Sequence, residues 1–202
     1  MNQYTVSYCK GAPDWSTIPS LELCHPYRQT PDYIRAFGQF TYDDEALLVH
    51  MWIDVPQILA EEKGPYGMPC QDSCLEFFFC PVPGDPRYIN IEFNYNCCMF
   101  LGIGPNVHDL LRLIPNTEEN PLQPVTRTTD TGWEIFYRIP YSLIRRLFPA
   151  FEATPGLTIR ANCFTCASHD AAPYYKSWNL VKAEPFTFHH SQSFGFMIFS
   201  NQ

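Results

Sequence analysis

YINIEFNY, residues 88 to 95, alternates apolar and polar side chains without a break: Ile89, Ile91, Phe93 and Tyr95 fall on one side, Asn90, Glu92 and Asn94 on the other. A period of two held over this length predicts a strand. CLEFFFC at 74 to 80 repeats the pattern, with Glu76 opposite Leu75 and Phe77, and TIRANCFTC at 158 to 166 sets Arg160 and Asn162 opposite Ile159 and Ala161. Three such strands predict a sheet with one greasy face and one face of carboxylates, amides and a guanidinium.

Working outward, similar segments recur at YIRAFGQFTY (33 to 42), LLVHMWIDV (47 to 55), CMFLGI (98 to 103), WEIFYRI (133 to 139) and FGFMIFS (194 to 200). Turn-forming stretches separate them, at Pro81 to Pro86, Pro115 to Pro124 and Asp130 to Gly132. The pattern predicts an all-β protein, an antiparallel β-sandwich of the jelly-roll or immunoglobulin-like kind. The 19 prolines and 10 glycines are spread along the joints with no linker or repeat, so residues 1–202 are expected to form a single domain. Helix is sparse: PYSLIRRLF at 140 to 148 predicts one short helix, with HDLLRLI at 108 to 114 and PQILAEEK at 56 to 63 as further candidates.

A hydrophobic share of 46% with 17% charged residues excludes a disordered tail or coiled coil, and no run approaches the roughly 20 apolar residues that span a bilayer. No membrane partner is expected. A net charge of -8 without a basic cluster would repel a phosphate backbone, so nucleic acid is not an expected partner. The start, MNQYTVSYCKGAPDW, lacks the basic and apolar regions of a secretory signal. The nine cysteines are an odd set, and Cys74, Cys97, Cys98, Cys163 and Cys166 sit in strand-like runs; a reduced, cytoplasmic setting is the expectation.

The polar face has the chemistry to hold a polyhydroxylated ligand. Glu76 and Glu92 can each accept two hydroxyl hydrogen bonds, Asn94 and Asn162 can donate and accept, and Arg160 can hold a glutamate in place. Trp178, flanked by Ser177 and Asn179, offers a ring on which the C–H face of a sugar could lie. Residue by residue, the competing reading is a solvated outer sheet face and an ordinary loop tryptophan. CFTC at 163 to 166 has the spacing of a metal half-site, yet alternation puts its sulfurs on opposite faces and no second pair exists, so no metal is expected there.

The order of these segments resembles the family 9 carbohydrate-binding modules. It is carried by DSCLEFFF (72 to 79), YINIEFN (88 to 94), GWEIFYRIPYSLI (132 to 144), RANCFTC (160 to 166) and SWN (177 to 179), and covers about Trp15 to Phe199. The resemblance implies a sugar-binding β-sandwich that grips a terminal sugar between two aromatic rings, with Glu76 as the binding glutamate and Trp178 as the late aromatic. The other family aromatic lies a few residues before DSCLEFFF; this chain has no tryptophan there, and Tyr66 takes that role a few positions early. Glu92 stands where the family has an arginine. Related domains often carry structural calcium, for which Asp43, Asp44 and Glu45 are the candidate turn.

The expected function is therefore non-catalytic recognition of a mono- or oligosaccharide or a glycan end by Trp178, Glu76, Asn94, Arg160, Glu92, Asn162, Asn179 and Tyr66, with the chain acting alone or beside a glycoside hydrolase encoded separately. One alternative is a glycoside hydrolase using Glu76 and Glu92 as paired acids. Another is a haem-binding sandwich; His50 and Met51 point to opposite faces and cannot pair as axial ligands, which leaves Met99 with His108 or His169.

Overall fold

The computed structural model of the chain describes residues 1–115 and 119–201. Part of the predicted turn region from 115 to 124, residues 116–118, lies outside the described residues. Fourteen strands follow one another: β1 Gln3–Tyr8, β2 Leu21–Glu22, β3 His25–Tyr27, β4 Arg35–Tyr42, β5 Ala46–Asp54, β6 Cys74–Cys80 and β7 Tyr88–Asn94. The rest are β8 Met99–Gly104, β9 Leu111–Arg112, β10 Val125–Thr128, β11 Gly132–Pro140, β12 Thr158–Ala167, β13 Tyr174–Ser177 and β14 Gly195–Ser200. The fold is all-β, as expected.

The strands run β10-β11-β5-β4-β1-β14-β12-β6-β7-β8-β9 in one curled sheet, with β13 beside β12, β3 beside β13 and β2 beside β4. Neighbours are antiparallel except β1, which is parallel to both β4 and β14 and so joins the two halves. The sheet folds over at this strand. Inward side chains of β4, β5 and β11, among them Phe40, Val49, Met51, Ile135 and Tyr137, then meet Phe77, Ile91, Phe93 and Cys163 of the other half. Ring centroids of Phe40 and Phe77 stand 4.7 Å apart and those of Phe93 and Tyr137 5.2 Å, closing the core between the halves.

The helix forms where the sequence places it, as α1 Tyr141–Leu147. Pro140 sits at its N-cap, where a missing N–H costs nothing, and Tyr141 and Ile144 turn into the core. The stretch 108 to 114 is not helical: Leu111 and Arg112 pair with Ile103 and Gly102 as a short edge strand, and 56 to 63 is irregular. Pairing to β8 in the first stretch, and in the second the N–H groups of Leu59, Glu61 and Glu62 bonded to Ser73 and Asp72, win over a weak helical propensity.

The face away from the core differs between the halves. On β5 and β11 outward residues such as Trp52, Glu134 and Phe136 stay partly exposed, whereas every residue of β6 and β7 is buried on both faces. What covers this second face is irregular chain. The short 3-10 turn Pro69–Gln71 packs on β6, β7 and β12, and Phe188, Val181 and Phe194 close over Phe78, Tyr88 and Phe164 in a separate apolar cluster.

Candidate functional site

The outward rows of β12, β6, β7 and β8 can be followed across the sheet. Phe164 lies opposite Glu76, Glu76 opposite Glu92 and Glu92 opposite Phe100. One row further on, Cys166 is opposite Cys74 and Cys74 opposite Asn94. On the other side Asn90 is opposite Gly102, which is opposite Arg112. Alternation along β6 and β7 thus brings Glu76, Asn90, Glu92 and Asn94 onto one face.

At its centre two carboxyl groups face each other from adjacent strands, Glu76 2% and Glu92 5% exposed. Glu76 Oε1 accepts from the Cys166 thiol at 3.0 Å, and Glu92 Oε1 accepts from the Asn90 amide at 3.0 Å. Neither forms an ion pair with a described residue. Burial, with Glu92 beside it, pushes the Glu76 carboxyl well above the carboxylate range. Burial also raises Glu92 to about 7, against the Asn90 hydrogen bond and the nearby charge of Arg112.

Arg112 is the cation of the site, and its position was hidden in a run read as helical. Its guanidinium lies 4.7 Å over the Phe100 ring. It donates to the carbonyls of Tyr66, Gly67 and Met99 at 3.2, 2.6 and 3.0 Å, which anchors the turn that carries Tyr66. Its Nε has no hydrogen-bond partner, nor do Glu92 Oε2 and Asn90 Oδ1, and all three atoms are buried. Buried polar atoms are rarely left so. The Cys70 thiol sits above, close enough to both glutamates for their charges to add to the burial that raises it to about 12.

Tyr66 is 77% exposed, on the Arg112 side of the floor. Across from it stands Tyr175, opposite Cys166 in the register and half-buried, with the Arg28 guanidinium 4.8 Å over its ring. Tyr175 was missed because AAPYYKS carries too few alternating residues to read as a strand.

Four of the expected residues have structural positions instead. Trp178 is only 4% exposed and belongs to the core: Ser177 takes the outward row opposite Phe164, so the next side chain turns inward. As placed, its indole offers no platform. Asn162 is spent on the loop after β13, donating to the Asn179 carbonyl at 3.1 Å and accepting from the backbone N–H of Asn179 at 2.8 Å and of Cys163 at 3.0 Å. Asn179 accepts from the Asn2 N–H at 2.7 Å and packs against Gly195, where a Cβ would strike its amide. Asn94 donates to Asp72 at 2.7 Å and to the Glu62 carbonyl at 2.9 Å, tying β7 to the loop before β6.

Arg160 is also outside the floor. It is opposite Cys80, four residues along β12 from the partner of Glu76, which is roughly 13 Å of strand. There it donates to the carbonyls of Gln192 and Phe194 at 2.9 and 3.3 Å and supports no glutamate. The acidic turn Asp43, Asp44 and Glu45 is occupied by the hairpin itself: Asp43 caps the N–H groups of Glu45 and Ala46, Asp44 accepts from Tyr8, and Glu45 pairs with Arg138.

A curled β-sandwich with a buried acidic floor between the exposed ring of Tyr66 and the half-buried ring of Tyr175 defines a class of small ligand-binding module. The sequence profile of carbohydrate-binding family 9 matches residues 26–199, and the chain belongs to that family. Among solved structures it is similar to a Bacteroides uniformis ATCC 8492 protein proposed to bind carbohydrate, with TM-score 0.79 and 21% identity over 98% of this chain and 99% of that one. It is also similar to a family 9 module from Caldicellulosiruptor kristjanssonii in complex with glucose, with TM-score 0.70 and 13% identity over 100% of this chain and 97% of that one. The same source gives a module in complex with cellotriose, with TM-score 0.68 and 13% identity over 100% and 95%. No curated protein matches the chain significantly.

Proposed function

We propose that this chain binds the end of a mono- or oligosaccharide on the floor made by Glu76, Glu92 and Asn90, with Arg112 at its edge and Tyr66 and Tyr175 as its walls. The observation that carries the reading is the set of three buried atoms without partners, Glu92 Oε2, Asn90 Oδ1 and Arg112 Nε. Two accept and one donates. Adjacent sugar hydroxyls, each able to donate and accept, match that set, and carboxylates and guanidinium make the stronger, charge-assisted bonds. Family membership and the sugar-bound modules of the same fold support the reading.

In this reading a sugar reaches the carboxyl groups by lifting the turn that carries Tyr66, whose anchors are the Arg112 hydrogen bonds. The ring of Tyr66 then lies against the sugar. Each tyrosine contributes about 1.5 kcal/mol by stacking, and specificity comes from the floor.

Calorimetric titration with glucose, xylose, galactose and cellotriose tests this. The expected result is saturable binding of at least one sugar that weakens tenfold or more in Glu92→Gln and in Tyr66→Ala. Absence of heat with every sugar at millimolar concentration would overturn it, and release of an aryl aglycone that is lost in Glu76→Gln would replace binding by hydrolysis.

A further inference from the structure

We infer that Cys74, Cys166 and Glu76 form a site for a thiolate-preferring divalent cation, zinc in the first place, set into the same floor. Cys74 and Cys166 are register partners on β6 and β12, and Glu76, two residues after Cys74, points the same way. Their two sulfurs and a carboxylate oxygen all lie within 4.8 Å of one another, and all three residues are buried. The proposal stands on the two thiols, which saccharide binding does not use, and shares only Glu76 with that reading.

The geometry suits the ion. Zinc bonds of about 2.3 Å to sulfur and 2.0–2.2 Å to oxygen place tetrahedral ligand atoms about 3.6 Å apart, so the three donors need to move by about 1 Å. Cys166 Sγ and Glu76 Oε1, 3.0 Å apart, open slightly to admit it. Cys74 and Cys166 are held on two adjacent inner strands of this half, which is what a small, directional coordination sphere requires. Exposed surface thiols have no such support.

Charge points the same way. The cluster itself holds only groups that become negative on ionising, the thiols of Cys74 and Cys166 and the Glu76 carboxyl, with the Cys70 thiol and Glu92 beside it and Arg112 the cation nearby. No described cation forms an ion pair with either glutamate, and Arg112 spends its terminal nitrogens on the carbonyls of Tyr66, Gly67 and Met99. A divalent ion bound here displaces the two thiol protons, and the Glu76 proton where that carboxyl still holds one, to solvent and, with two thiolates and one carboxylate, leaves a single net negative charge. Three protein ligands also leave the fourth tetrahedral position open to water or a sugar hydroxyl. Thiolates select zinc over calcium or magnesium, which take oxygen ligands.

The test uses the full chain, stripped with chelator under reducing conditions. Zinc is titrated against a competing chromophoric chelator, without sugar, and cobalt(II) is added to a second sample. One equivalent of zinc should bind, at least 100-fold more weakly in Cys74→Ser and in Cys166→Ser, while Cys97→Ser, outside the cluster, leaves affinity unchanged. The cobalt form should show a thiolate charge-transfer band in the near ultraviolet, a readout that needs no variant to fold. A folded wild-type chain that takes up no zinc, one that binds zinc equally after Cys166→Ser, or a Cys74–Cys166 disulfide found in place of the two thiols would overturn the proposal. Sugar titration of the stripped chain separates the two readings, since zinc can fail with sugar binding intact, and the reverse.

Discussion

Glu76 and Glu92 stand directly opposite one another on β6 and β7, both buried, with no described ion-pair partner on either side. Two like carboxyls on directly opposite residues, whose Cβ atoms stand about 5 Å apart, cannot both ionise cheaply in a dry site, so at least one holds its proton until a ligand arrives. A fold that keeps such a pair in its centre does so at some cost in stability. The cost is recovered when hydroxyl groups or a cation take up the free lone pairs.

That cost gives a pH dependence. The Glu92 carboxyl, raised by burial to about 7, keeps a proton in the native state where the unfolded chain has already lost it. Its contribution to stability is therefore complete below the ordinary carboxylate value and is lost as pH rises through about 7. His189, buried and held near 4, acts in the opposite sense, destabilising the fold as pH falls below the ordinary histidine value. The variant Glu92→Gln removes the first effect only. Urea midpoints of the chelator-treated protein should show Glu92→Gln gaining on the wild type between pH 5 and pH 8; a difference independent of pH would contradict the assignment.

Trp178 and Tyr66 should separate stability from binding. Trp178→Ala empties part of the core and should cost about 3–5 kcal/mol of unfolding free energy, as large aromatic truncations do. Tyr66→Ala, at an exposed ring, should leave stability within about 0.5 kcal/mol while weakening sugar binding about tenfold. Denaturant unfolding and calorimetry on the same two variants check both halves.

Asn94→Ala takes one donor from Asp72, which keeps the N–H groups of Glu61 and Glu62, leaves the Cys98 N–H without its partner and loosens the loop before β6. A loss of about 1–3 kcal/mol is expected. Hydrogen exchange should rise across residues 60 to 72, with the core strands β5 and β11 unchanged.

Arg160→Ala is expected to leave sugar affinity within twofold of the wild type, because its hydrogen bonds go to Gln192 and Phe194 at the far end of β12. A tenfold loss in calorimetry would return Arg160 to the site.

The strands carrying the floor were legible because each alternates over seven or more residues, and that alternation brought Glu76, Asn90 and Glu92 to one face. What covers that face was not legible. The Pro69–Gln71 turn and the chain around Phe188 have no period, so a face read as open is in fact roofed. Trp178 was misassigned for a local reason: Tyr174–Ser177 is a strand too short to recognise, and without its register the inward turn of the next residue cannot be deduced. Arg112 escaped because its two-residue strand exists only by pairing with β8. Asn162 and Asn179, facing the right way or nearly so, bond to each other across 17 residues, a closure that no local pattern announces.

The most direct measurement is a crystal structure of the chain soaked with glucose or cellotriose. The account predicts a sugar ring seated over Glu76 and Glu92, with hydroxyls on Glu92 Oε2, Asn90 Oδ1 and Arg112 Nε and the Tyr66 ring against its C–H face. A sugar bound elsewhere, for example on the outer face of β4 and β5 at Phe37 and Trp52, with those three atoms unchanged, would contradict it.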